Sequence, residues 1–251
     1  MADSPQTADS TDLPIAGASA SGTSASGASA SGASCDCCAD PRIAAHFDNM
    51  TRQRTEGGTV LPAMVAVSEL LLSQLDDVAD ARPTVLELGC GSGAMLVTLL
   101  TRGAAFADGF DLSSEAIATA QRRAADAGVG ERANFQLGDA ARATHTAHDW
   151  VVLDRAICCY PDMPALLGAA LSAAPRRVAF SVPTSRGLRG HVNRILWGFE
   201  SFLTRFRKDE CPGYVHSVDA IERRLAAQGF SRRSSESTLL WYTAVWDRPA
   251  A

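Results

Sequence analysis

Apolar residues recur along this chain in two rhythms, and the rhythms alternate. Short apolar runs at Val85–Leu88, Phe106–Phe110, Ala133–Leu137, Trp150–Leu153 and Arg177–Val182, bounded by Gly, Pro, Asp or Ser, read as strands. Between them, 94–101, 114–127 and 162–173 space their apolar residues as helices with one buried face do. This alternation predicts a largely parallel sheet, an α/β fold with helices on both faces. Upstream, Arg42–Arg54 and Leu61–Val78 read as two helices that would form an N-terminal helical cap on the sheet edge or on a ligand. The second places Leu61, Met64, Val65, Ser68, Leu71, Leu72 and Leu75 on one face. Downstream, Leu188–Arg207 steps through Leu188, Val192, Ile195, Phe199, Phe202 and Phe206 by fours and threes, a helix with one apolar face. A helix at Val218–Gln228 follows. The runs Phe230–Glu236 and Leu239–Trp246 leave no room for a helix between them, so the chain should end in an antiparallel hairpin.

Composition changes this picture at the N-terminus. Residues 17–34 repeat a Gly-Ala-Ser-Ala-Ser unit that buries too little apolar area to offset its ordering entropy. Residues 1–40 are therefore expected to form a disordered Ser/Ala/Gly-rich tail with a Cys leader, and 41–251 one domain with a cap or lid insertion at 184–216. A hydrophobic share of 46% is enough for a core, and a net charge of −5 without a basic stripe argues against nucleic acid and for a small-molecule substrate. The absence of long apolar runs and of a signal-like N-terminus points to a cytoplasmic protein. The seven cysteines, at 35, 37, 38, 90, 158, 159 and 211, do not resemble a secreted disulfide framework and read as free thiols.

Chemistry concentrates where the first strand meets its helix. Thr84-Val85-Leu86-Glu87-Leu88-Gly89-Cys90-Gly91-Ser92-Gly93 runs an apolar strand with one acid into a turn of three glycines, ahead of a helix whose N-terminus would face a ligand. Gly89-x-Gly91-x-x-Ala94 also satisfies the loose dinucleotide pattern, so the later strands have to discriminate. Strand 2 ends in Asp111-Leu112, and strand 3 is followed by Gly138-Asp139-Ala140.

In order and spacing these positions resemble the class I S-adenosylmethionine-dependent methyltransferases, a Rossmann-like fold whose parallel sheet is closed by a terminal hairpin. The resemblance spans about residues 41–251 and is most specific in the first half. It implies S-adenosyl-L-methionine as cofactor, with Glu87 facing the methionine ammonium and Gly89, Gly91 and Gly93 passing under the aminocarboxypropyl chain. Asp111 would take the ribose hydroxyls, Leu112 would pack on adenine, Asp139 would accept the adenine amino group, and the backbone of Ala140 would meet the ring. The segment Asp154–Tyr160, the Cys35/Cys37/Cys38 leader and Phe180-Ser-Val-Pro183-Thr184 look like a group of bacterial methyltransferases of unassigned substrate, distantly near the magnesium-protoporphyrin O-methyltransferases. Two rival readings are a nicotinamide-dependent oxidoreductase on the same corner and a catalytically silent cofactor-binding module.

Ligands of open α/β sheets bind at the carboxyl ends of the strands, so Asp154–Tyr160 should border the reacting group, with Asp154 and Tyr160 as candidate catalytic residues. His191 and His216 are secondary candidates for a base. Cys158, Cys159 and the leader cysteines could gather thiolates around a soft metal, but the preferred reading is buried and exposed free thiols with no metal. The 188–207 helix, flanked by Arg186, Arg189, Arg194, Arg205, Arg207 and Lys208, reads first as a cap packed on the core. A lid over a hydrophobic acidic substrate and an interfacial helix on anionic lipid are the alternatives. The acceptor and the oligomeric state stay open, with O-methylation mildly preferred.

Overall fold

The computed structural model describes residues 41–55, 62–204 and 213–249. The expected tail with Cys35, Cys37 and Cys38, Leu61 of the second helix, and residues 205–208 of the insertion lie outside the described residues.

Seven strands form one sheet in the order β3-β2-β1-β4-β5-β7-β6. They are β1 (Thr84–Leu88), β2 (Phe106–Asp111), β3 (Ala133–Leu137), β4 (Trp150–Asp154), β5 (Arg177–Pro183), β6 (Ser231–Ser237) and β7 (Trp241–Asp247). The first five pair in parallel, and the expected hairpin β6–β7 joins antiparallel to β5. Strand order reverses between β1 and β4, which opens a crevice at their carboxyl ends, where open α/β sheets bind ligands. β2, β4 and β5 each run one residue past the predicted end, carrying Asp111, Asp154 and Pro183 to the rim.

Both faces of the sheet are covered, so β4 and β5 are buried at every position, as strands of a parallel sheet between helix layers must be. On one face Leu86, Leu88, Val151, Leu153 and Phe180 pack against α6 (Met163–Ser172) and α8 (Val218–Ala227). On the other, Val85, Ala107, Val152 and Ala179 meet α2 (Pro62–Ser73), α4 (Ala94–Thr101) and α5 (Ser114–Asp126). The outer strand β6, Ser-Arg-Arg-Ser-Ser-Glu-Ser, is exposed and charged, which protects the sheet edge from pairing with another chain.

Two helices differ from expectation. The predicted Leu61–Val78 helix stops at Ser73 and turns before a short α3 (Val78–Ala81). Asp77 in that turn is held by Arg177 at the start of β5, Nη1 to Oδ1 at 2.6 Å, while Arg177 Nε donates to Asp247 at 2.6 Å. Those contacts draw the chain off the helical path. The buried face of α2 also differs by rotation. Val67 is 1% exposed against Cys158 and Trp241, whereas Val65, predicted to point inward, is 44% exposed.

The second difference is larger. α7 (Gly187–Thr204) turns Gly190, Asn193 and Trp197 toward the protein and leaves Leu188, Val192, Ile195 and Leu196 in solvent. Asn193 decides this orientation, because its side-chain amide donates to the carbonyls of Thr184 at 2.9 Å and Leu240 at 2.8 Å. The two hydrogen bonds donated by its amide nitrogen overrode the apolar periodicity, although its Oδ1 has no partner among the described residues. Among these residues the reading of an apolar face packed on the core is therefore corrected.

Candidate cofactor and acceptor site

At the switch point the glycine corner is shaped by contacts rather than by flexibility. Gly89 has φ +79°, and a Cβ there would lie 2.8 Å from Cβ of Ala156; Gly93 has φ +72° and would meet Cβ of Ala120 at 2.8 Å. Neither position admits a side chain without strain and a clash. At Gly91 (φ +51°) nothing lies within 4 Å, and its amide donates to Asp111 Oδ2 at 2.8 Å. Asp111 Oδ1 takes the Ser113 amide at 2.9 Å. The carboxylate at the end of β2 thus ties the corner to α5 while its remaining lone pairs stay available to hydroxyl donors.

An open cleft lies above this corner. Its walls include Gly89 from the corner, Asp111 and Leu112 after β2, Asp139 and Ala140 after β3, and Tyr160 after β4. The structure therefore brings these sequence-predicted residues to one wall system. Gly91, Gly93, Glu87 and Asp154 do not line it.

Glu87 sits beneath the corner, 2% exposed, two residues before Gly89. Its Oε2 has no hydrogen-bond partner among the described residues. Burial pushes its carboxyl well above the usual carboxylate range, reinforced by the negative charges of Asp154 and Asp111 and only partly opposed by Arg155. An acid left orphaned in the interior destabilises the protein. It also marks a place where a cation would be welcome, which fits the ammonium of a sulfonium amino acid and does not fit a pyrophosphate.

Asp154 behaves differently. Its Oδ1 accepts from Ser181 Oγ at 2.6 Å, and its Oδ2 accepts from Ser68 Oγ at 2.5 Å and Arg155 Nε at 3.3 Å. With both oxygens engaged below the cleft, it anchors α2 and β5 to β4. Tyr160 does reach the cleft, where its phenol donates to the Asp139 carboxylate at 3.1 and 3.2 Å. Asp139 also takes the Ala141 amide at 2.9 Å and stands 3.4 Å from Arg142.

Of the secondary candidates, His216 spends Nε2 on the Tyr160 carbonyl at 2.8 Å, and burial lowers its pKa. His191 is exposed on α7. Cys158 and Cys159 sit on a short helical turn with sulfurs 3.8 Å apart. The hydrogen bond to Cys159 and burial push the Cys158 thiol well above its ordinary value, so it behaves as an inert buried group. No group of three metal-ligating side chains occurs among the described residues.

Some cleft residues were not singled out from the sequence, although Arg155 lies in the Asp154–Tyr160 segment expected to border the reacting group. Arg155 lines the wall with φ +54°, its amide held by Ser181 Oγ at 2.8 Å. Left-handed backbone at a bulky residue is strained, and such strain concentrates at functional positions. Its place in the segment after β4 was the available signal. Phe47, from α1 (Pro41–Thr55), and Leu166, from α6, reach the cleft only through tertiary packing. α1 is stitched down by Asp48, which accepts from Ser113 Oγ at 2.6 Å and the Glu115 amide at 3.1 Å. Burial alone would raise the Asp48 pKa, but these donors hold it below the ordinary value.

Comparisons with known proteins agree with this geometry. A family model for methyltransferase domains matches residues 85–174. The ubiquinone biosynthesis O-methyltransferase of Neisseria meningitidis serogroup C is 32% identical over 106 residues, 41% of this chain and 44% of that protein. The ribosomal protein L11 methyltransferase of Serratia proteamaculans is 38% identical over 68 residues, 27% of this chain and 23% of that protein. The chain thus spans less than half the length of these curated relatives. Among solved structures, the magnesium protoporphyrin IX methyltransferase of Synechocystis PCC 6803 with bound S-adenosylhomocysteine superposes with a TM-score of 0.64 at 21% identity, covering 82% of this chain and 98% of that one. An O-methyltransferase family protein from Burkholderia thailandensis gives 0.59 at 22% identity, covering 81% and 58%. Residues 85–174 of this chain thus match a methyltransferase domain, and the chain adopts the Rossmann-like fold seen in these solved methyltransferases.

Proposed function

We propose that the protein transfers the methyl group of S-adenosylmethionine to a small or medium-sized, partly hydrophobic acceptor, with oxygen as the favoured acceptor atom. The observation that carries the cofactor assignment is the unpartnered Oε2 of the buried Glu87 under the glycine corner. A nicotinamide dinucleotide would bring a pyrophosphate toward that corner, where a buried acid opposes it. An aminocarboxypropyl chain brings an ammonium.

The chain's own residues then divide the work. Glu87 would receive the ammonium, the backbone of residues 89–93 would pass the chain, Asp111 would hold the ribose hydroxyls, and Leu112, Asp139 and Ala140 would frame the adenine. When bound, the cofactor supplies an electrophilic methyl group on a sulfonium. The protein's part is to align an acceptor in line with it and to keep water out. Phe47, Leu166 and Cys159 give the cleft an apolar wall for that purpose. Arg155 adds a cation to the lining, and would steer an acidic or phenolic acceptor and favour its ionised, nucleophilic form. Tyr160, bonded to Asp139, is better suited to positioning than to accepting a proton, and the two serines on Asp154 give it the same character.

The O-methyl preference draws on the named O-methyltransferase relatives and on Arg155, whose charge suits an oxyanion. Calorimetric titration with S-adenosylhomocysteine and, separately, NADH tests the cofactor. Binding of the first alone is expected; binding of NADH, or of neither, overturns the assignment. A screen of phenols and carboxylic acids with labelled S-adenosylmethionine tests the acceptor class.

A further inference from the structure

The orientation of α7 is the feature that the cofactor site does not explain. A helix advances about 100° per residue. On that wheel Ile195, Leu188, Val192 and Leu196 fall within one sector of about 100°. The same four residues are the exposed ones, at 67%, 83%, 43% and 52%. The opposite side of the helix is locked inward by the two hydrogen bonds of Asn193 and by Gly190, where any Cβ would strike the Ser185 backbone. The apolar stripe therefore faces out by construction, and rotation to hide it would take the Asn193 donor from the Thr184 carbonyl and one of two donors from the Leu240 carbonyl, which also accepts from the Thr184 amide.

Among the described side chains of α7, the charges beside the stripe have one sign. Arg189 and Arg194 are both exposed, and residues 187–198 include no acid, although the chain as a whole carries a net charge of −5. Among the described residues no helix is long and apolar enough to cross a membrane. A helix with an apolar sector rimmed by arginines lies instead in the plane of an interface. A second copy of the chain fits less well, because symmetric pairing over residues 187–198 sets arginines against arginines with no acid in that segment.

We propose that the outward stripe of α7 docks on an anionic lipid bilayer, with Leu188, Val192, Ile195 and Leu196 entering the acyl boundary and Arg189 and Arg194 at the headgroups. This surface is separate from the cofactor cleft, and its test does not depend on turnover.

The experiment is flotation of the full chain with vesicles of phosphatidylcholine alone and of phosphatidylcholine with phosphatidylglycerol. Two variants, Leu188→Ser with Ile195→Ser and Arg189→Gln with Arg194→Gln, accompany the wild type. All four positions are exposed, so the thermal midpoints should match, and a melt of each variant checks that. The expected result is flotation with the anionic vesicles only, weakened by salt and lost in the serine variant. Removing both arginines should weaken partitioning on the order of thirtyfold, from about 1 kcal/mol for each basic residue near such a surface. Equal binding to both vesicle types, no binding, or binding indifferent to the substitutions overturns the proposal. So does a concentration-dependent dimer in sedimentation velocity that the serine variant dissolves, which would assign the stripe to a second copy.

Discussion

Replacing Glu87 with glutamine should move stability and cofactor affinity in opposite directions. The carboxyl is buried, its Oε2 is orphaned, and its pKa lies well above the ordinary value because burial and the nearby Asp154 and Asp111 disfavour its charge. The folded state therefore holds a proton that the unfolded chain releases above its ordinary glutamate pKa. As pH rises from there toward the raised folded pKa, the wild type loses stability at about 1.4 kcal/mol per pH unit. A glutamine side chain has the same shape and no proton to hold, so the variant avoids that loss. It should match the wild type near the ordinary glutamate pKa and exceed it increasingly toward neutral pH, each kcal/mol raising the melting midpoint by about 2–4 °C. Its affinity for S-adenosylhomocysteine should fall, because a charge-assisted hydrogen bond to the ammonium, worth about 1.5–3 kcal/mol, is lost. That is a weakening of roughly tenfold to a hundredfold. Scanning calorimetry across pH and titration with S-adenosylhomocysteine read both quantities. Unchanged affinity, or a stability difference that does not vary with pH, would refute the reasoning.

Other outcomes follow from single contacts. Gly89→Ala should cost more stability than Gly91→Ala by about 1–2 kcal/mol in urea titrations, since both are left-handed but only Gly89 would also strike Ala156. Asp48→Ala should cost about 1–2 kcal/mol by removing the acceptor of the Ser113 hydroxyl and the Glu115 amide, and should weaken S-adenosylhomocysteine binding by freeing α1 and Phe47. His148, 2.9 Å from Asp108, has a raised pKa because that partner outweighs the burial that would lower it. Its contribution is thus complete below the unfolded histidine pKa and is lost as pH rises through the folded value. His148→Asn should abolish that part of the decline in melting temperature.

The fold was legible because its signals are local. Five apolar runs separated by helical periods, and two runs too close for a helix between them, leave little choice of architecture. The glycine corner and the acids at 87, 111 and 139 were legible for a related reason. A strand end followed by a turn places Asp111 and Asp139 at the sheet rim whatever the rest of the chain does, while Glu87, one residue inside β1, lies buried beneath it.

What the sequence could not convey are contacts between segments far apart in the chain. The Ser68 and Ser181 hydroxyls that occupy Asp154, the Tyr160–Asp139 bond, the reach of Phe47 into the cleft and the orphaning of Glu87 each depend on where two or three elements meet. The clearest instance is α7. Periodicity determined that one side of the helix is apolar, but not which way that side faces. Asn193 settled that, because its buried amide nitrogen reaches both the Thr184 and Leu240 carbonyls in this orientation. By itself, then, the sequence determined the architecture and the residue types at the rim. Tertiary structure decided which of those residues are occupied, which stand unpaired, and which apolar face meets the outside, since hydrogen-bond satisfaction and burial are properties of the assembled fold.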